Sequence, residues 1–190
     1  MDASALRDDV RESIATKQRL LDGGFEPIEQ LLAEAEHSLR AGGKLLLCGN
    51  GGSSCDAAHA AGELVGWFLA KQRGPLPAIA LGHEVPALTA IANDAGYEHV
   101  FARQLEALGR PGDLLIGITT SGGSKNVLAA IETARRIGVR SVALTGSERK
   151  ACAEAADLWV PVPSTETPRI QECHLLIVHL LCAHLERALA

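Results

Sequence analysis

The chain has 190 residues, 47% of them hydrophobic and 22% charged, a balance that fits a folded globular protein and excludes an intrinsically disordered one. Its net charge is −5 and no basic run occurs, which argues against a nucleic-acid partner and leaves any small phosphate ligand dependent on local positive character. The N-terminal MDASALRDDVRES has no apolar signal core and the longest apolar stretch, 175–182, is interrupted by His179, so neither export nor a membrane span is expected.

Two helices are predicted first. Residues 5–21 carry Leu6, Val10, Ile14, Leu20 and Leu21 and close at Gly23-Gly24; residues 27–40 carry Ile28, Leu31, Leu32, Ala35 and Leu39 in a 3.6-residue stripe. Pro27 suits a first helical turn, and Gly42-Gly43 end that helix. Their expected use is to cover a sheet or to pair with another subunit. Residues 44–48 then read as a buried strand, 49–54 as a glycine-serine turn, and the helix that follows is expected to run to about residue 70. A second strand is expected at 78–81, helices at 83–93 and 97–108, and a third strand at 114–119. After a second hydroxyl-rich turn, 119–124, come a helix at 125–137, a strand at 141–145, a short helix at 152–156, a strand at 158–162 and a long helix at 167–189. Strands that are continuous apolar runs, alternating with helices, argue an α/β fold with a parallel sheet covered on both faces. The whole chain, 1–190, reads as one domain, with 1–41 as N-terminal helices and 42–190 as the α/β core.

Ligands of such sheets sit at the carboxyl ends of the strands, where both Gly/Ser/Thr turns fall. A strand feeding a glycine-rich turn into a helix N-terminus makes an anion site from converging backbone N–H groups and the helix dipole. Ordinary turn and N-cap chemistry is the alternative for either turn alone. The first turn lacks the third glycine of a dinucleotide fingerprint and the lysine of a P-loop, so a sugar phosphate fits better than a nucleotide. His59 and Glu63, four residues apart on one helix face, read as an acid–base pair or as a solvated ion pair. His179 lies in an apolar helix, where a core histidine is the plain reading, and His83 and His99 carry only structural readings. The five cysteines, Cys48, Cys55, Cys152, Cys173 and Cys182, are odd in number and lack CxxC spacing, which reads as reduced thiols in a cytoplasmic protein.

The segments CGNGGSSCDAAHAAGEL (48–64), AIANDAGYEHVFARQLEALGRPGD (90–113), GITTSGGSKNVLAAI (117–131) and TPRIQECHLLIVH (167–179) together resemble the bacterial phosphoheptose isomerases of the sugar isomerase (SIS) domain superfamily. The resemblance implies a five-stranded parallel sheet between helices, with extra N-terminal helices packing a homotetramer. It implies interconversion of sedoheptulose 7-phosphate and glycero-manno-heptose 7-phosphate, with a sugar-phosphate substrate as partner. Phosphate and sugar contacts would fall on Asn50, Gly51, Gly52, Ser53, Asn93, Asp94, Thr119, Thr120, Ser121, Ser124 and Gln171, with Glu63 also touching substrate. Glu63 and His179 would be catalytic, and one zinc per subunit would be held by His59, Glu63, Gln171 and His179. Gln171 and His179 stand about 80° apart around a helix, close enough to face one pocket.

An aldose–ketose isomerisation moves one proton between C1 and C2 and another between their oxygens, through an enediol(ate). A carboxylate raised in pKa by partial burial suits the first transfer, an imidazole the second, and a Lewis acid would polarise the carbonyl. Three places depart from the family pattern: Trp67 stands where an arginine or another polar residue is common, the second turn reads SGGS where Asn or Lys often replaces the second glycine, and TGSERKACAEA lacks the usual paired glycines. The rival reading is a non-catalytic SIS relative that binds a replication initiator or senses a sugar phosphate. Glu63 and His179 are both intact, which favours the enzyme.

Overall fold

The computed structural model describes residues 3–23 and 25–189, so Gly24 of the expected first helix end lies outside the described residues. The elements run α1 (Ala3–Gly23), α2 (Glu26–Arg40), β1 (Leu45–Gly49), α3 (Gly52–Val65), β2 (Ala78–Ala80) and α4 (Val85–Ala95). A 3-10 turn (Tyr97–His99) leads into α5 (Val100–Leu108), β3 (Leu114–Ile118), α6 (Lys125–Ile137), β4 (Arg140–Thr145), α7 (Ala151–Ala155), β5 (Leu158–Pro161) and α8 (Thr167–Leu189).

The five strands pair in parallel in the order β2-β1-β3-β4-β5. Strand side chains alternate between faces, so Leu45, Leu47, Leu114, Ile116 and Leu144 pack with α2, α3 and α8 in one buried cluster. Leu46, Cys48, Leu115 and Ala143 pack with α5 and α6 in a second cluster on the opposite face. Gly117 is part of that second layer because a Cβ there would stand 2.8 Å from Val127, so its absence lets α6 lie close on β3. From β1 the chain crosses to β2 on one side and then to β3 on the other. Gly49 and Ile118 are paired in register, so the two turns leave neighbouring strands at the point where the strand order reverses. That crevice is where an open α/β sheet binds ligands.

The parallel α/β sheet and the expected element order are borne out. Of the first two helices, one meets the expectation of covering the sheet. Helix α2 buries Ile28, Leu31 and Ala35 against the sheet, while α1 leaves Leu6, Val10, Ile14 and Leu21 between 53% and 64% exposed. Among the described residues no helix is long and apolar enough to cross a membrane.

The expectation that α3 continues to about residue 70 is wrong. The helix stops at Val65, with Gly66 out of helical geometry at φ −83°, ψ −124°. The amides of Phe68, Leu69 and Ala70 turn instead to the Glu186 carboxylate on α8, and Arg73 reaches back to the carbonyls of Glu63 and Leu64. A buried long-range ion pair here overrides local helix propensity.

Candidate active site

The second turn gathers hydroxyls. Thr119 Oγ1 lies 2.8 Å from Ser124 Oγ and 3.3 Å from Ser121 Oγ, directly before the first residue of α6. Ser124 is the N-cap of α6 but makes no side-chain cap bond; Asn126 Oδ1 takes the Val127 amide, which leaves the amides of Lys125 and Asn126 as the helix-opening donors for an anion. Across the crevice, Gly51 adopts φ +55°, the left-handed region that favours glycine, and brings the chain into α3. Ser53 is buried in the first turn of α3, and His83 Nε2 lies 3.0 Å from Ser54 Oγ. Asn50 joins the two turns through its amide contacts with Asn126.

Facing sides of α3 and α8 form a polar seam that starts beside these turns. At its first station the Gln171 amide lies so close to Gly52 that a Cβ there would sit 1.9 Å from Nε2. Asp56, one turn further along α3, is 5% exposed and leaves Oδ2 without a hydrogen-bond partner. Burial pushes the Asp56 carboxyl up to about 6, while His59 and Gln171 pull against that rise. At the second station His59 Nε2 meets His179 Nε2 at 2.9 Å, with the ring centroids 5.1 Å apart and the planes at 65°. Glu63 Oε1 is 3.7 Å from the other nitrogen of His59, Nδ1. Phe68 also packs on His179, with centroids 5.4 Å apart and the planes at 32°.

The structure therefore brings His59, Glu63 and His179 together within one chain, and sets Thr119, Ser121 and Ser124 together at α6. Thr120 and Ser121 also line a cleft with Gly146, Ser164 and Ile170 at the carboxyl edge of the sheet. Asn93 and Asp94 bond to each other at 2.7 Å on the exposed end of α4, away from the seam contacts. Sequence reasoning missed Asp56, His83 and Asn126. Asp56 has a signal in hindsight: it precedes His59 by three residues on the same helix face. His83 and Asn126 have none, since their partners lie 29 and 76 residues away.

The donor types of His59, Glu63, Gln171 and His179 suit zinc, and two of them converge. Two imidazoles on one tetrahedral zinc stand about 3.3 Å apart, so the 2.9 Å pair needs only a small opening to share an ion. Glu63 sits on the Nδ1 side of His59 and Gln171 over Gly52. Among the described residues no three His, Cys, Asp or Glu side chains are gathered on one point.

Comparison with known proteins identifies the family of the chain. A family model described as the SIS domain matches residues 10–146. The chain is 54% identical over 152 residues to the phosphoheptose isomerase of Rhodospirillum rubrum, covering 80% of each protein. It is 48% identical over 182 residues to the phosphoheptose isomerase of a Roseiflexus species, covering 96% of this chain and 92% of the relative. The solved phosphoheptose isomerase of Neisseria gonorrhoeae superposes with a TM-score of 0.92 at 39% identity, over 98% of this chain and all of that one.

Proposed function

The chain belongs to the SIS domain family and, within it, to the phosphoheptose isomerases; on that premise we propose that it interconverts sedoheptulose 7-phosphate and D-glycero-D-manno-heptose 7-phosphate. The observation that carries the assignment of roles is the 2.9 Å contact between His59 and His179, with Glu63 beside His59 and the hydroxyl cluster across the crevice. The phosphate sits on Thr119, Ser121 and Ser124 at the opening of α6, assisted by Ser53 and the glycine turn. The sugar then reaches toward the seam with its C1–C2 end.

Glu63 takes the proton from one carbon and returns it to the other through the enediol(ate). His179 carries the proton between the two oxygens, with its Nε2 2.9 Å from Nε2 of His59. Zinc bound by His59, Glu63, Gln171 and His179 would supply Lewis-acid polarisation of the carbonyl. The exposed apolar face of α1 supports assembly through that helix into a homotetramer, and the five free cysteines support a reducing, cytoplasmic setting.

Incubating the purified protein with sedoheptulose 7-phosphate, with and without added zinc, tests the reading. Appearance of the aldose phosphate is expected, and no aldose in either condition overturns it. Glu63→Gln is expected to lower kcat at least about a hundredfold; full activity in that variant removes the base from Glu63.

A further inference from the structure

The seam between α3 and α8 has a third station beyond the two that the reaction uses. There Glu186 is 3% exposed, yet its carboxylate is fully engaged. Oε1 accepts from the Phe68 amide at 2.9 Å and from Arg73 Nε at 2.8 Å, and Oε2 accepts from the amides of Leu69 and Ala70 at 2.8 and 2.9 Å. Burial pushes this carboxyl up, but the three amides and the guanidinium outweigh it and leave it at about 2, ionised throughout the working range. Arg73 spends its remaining donors on carbonyls: Nη1 on Leu64 and Gly74 at 2.8 Å each, and Nη2 on Glu63 at 2.6 Å. A guanidinium on the last carbonyls of α3 also complements the negative end of that helix.

One end of this buried ion pair, Glu186, stands on α8 with His179, and the other, Arg73, lies in the segment after α3 and binds the last carbonyls of the helix that carries Glu63. Arg73 grips the backbone of Glu63, and Glu186 lies seven residues, two helical turns, beyond His179 on α8. Between them the segment is pinned so that Trp67 and Leu69 face solvent, at 59% and 74% exposure, while Phe68 turns inward onto His179. Ion pairing alone would serve stability at many places in the fold. Aiming one aromatic ring at an imidazole is a more specific arrangement.

We propose that Arg73, Glu186 and Phe68 are positioning residues for the isomerase site, the ion pair fixing the segment after α3 so that the Phe68 ring holds His179 against His59. The proposal rests on the assignment of His179 to the reaction. Without the Phe68 ring, the imidazole gains room to rotate away from the shared nitrogen contact, and proton transfer loses its geometry more than substrate loses its binding.

Phe68→Leu tests this, because the bonds to Glu186 come from the Phe68 backbone and survive the change. Expected are a fall in kcat of about tenfold or more with KM within about threefold, restored to about half the parent rate or better by Phe68→Tyr. A crystal structure of Phe68→Leu is expected to show the His179 ring turned away from His59. Glu186→Gln should lower kcat in the same way with a larger loss of thermal stability; if it fails to fold, the Phe68 variants decide alone. Parent-like kcat in Phe68→Leu, a loss that Phe68→Tyr does not restore, or an unmoved His179 ring each overturns the proposal. Should the parent protein not isomerise the heptulose phosphate, the functional assignment falls, and the position of the His179 ring alone decides whether Phe68 holds it.

Discussion

Asn50 and Asn126 hold each other by both ends of their amides, Nδ2 to Oδ1 at 2.8 Å in each direction, across the crevice between β1 and β3. Asn50 Oδ1 also accepts from the Tyr97 hydroxyl at 3.0 Å, and Asn126 Oδ1 from the Val127 amide at 3.0 Å. The pair sets the spacing between the two anion turns. Asn126 is 3% exposed, so Asn126→Leu removes both bonds and strands the Asn50 amide against an apolar neighbour. KM for the sugar phosphate should rise about tenfold, the equivalent of roughly 1.4 kcal/mol, with a smaller change in kcat. Steady-state kinetics checks this, and an unchanged KM would show that the turns keep their spacing by other contacts.

Thr119 occupies the centre of the hydroxyl cluster and is itself 3% exposed. Thr119→Val keeps the shape and removes the oxygen that orients Ser121 and Ser124. Because the phosphate is bound alike in ground and transition states, the loss should fall on KM, by about tenfold or more, with kcat within a few fold. A matched fall in kcat at constant KM would place Thr119 nearer the reacting carbons.

The alternation of strand and helix was legible because each buried strand is a short continuous apolar run and each helix a periodic one. The two turns were legible for the same local reason, as glycine and hydroxyl clusters between such runs. What local reading lost depends on distant partners. The end of α3 is decided by Glu186, 116 to 118 residues beyond the amides it accepts from. Gly52 looks like turn chemistry, yet its lack of a side chain makes room for the Gln171 amide. Asp56 is 5% exposed only in the folded chain, where burial raises its carboxyl to about 6. His59 and His179 become a pair only in space, 120 residues apart.

His174 gives the fold an acid limb. It is fully buried on α8, donates through Nε2 to the Thr145 carbonyl at 3.3 Å, and leaves Nδ1 unpartnered. Burial holds its imidazole down at about 4, below the ordinary 6.5, so the folded state keeps it neutral where the unfolded chain binds a proton. Stability should therefore fall as pH drops from 6.5 towards 4 and level off below, by up to about 3 kcal/mol from this residue. Chemical denaturation across that range measures the slope. His174→Gln should flatten it while starting from a lower stability at neutral pH, and an unchanged slope would assign the acid limb elsewhere.

At the opposite, amino-terminal edge of the sheet, Asp113 ties the starts of β1 and β3 together. Its Oδ1 accepts from the Lys44 amide at 2.9 Å, and its Oδ2 from Lys44 Nζ at 2.6 Å and the Arg110 amide at 2.8 Å. The Asp113 side chain is 4% exposed and that of Lys44 21%, so the two partners are not equivalent. Asp113→Ala leaves two backbone amides and a half-buried ammonium without acceptors, and should cost about 2–4 kcal/mol in urea unfolding. Lys44→Ala keeps both amide donors on the carboxylate and removes a group already near water, so about 1 kcal/mol is expected. Both variants lie far from the crevice and should retain parental kcat and KM once folded. Equal losses of stability in the two would mean that the ammonium, and not the backbone amides, carries this junction.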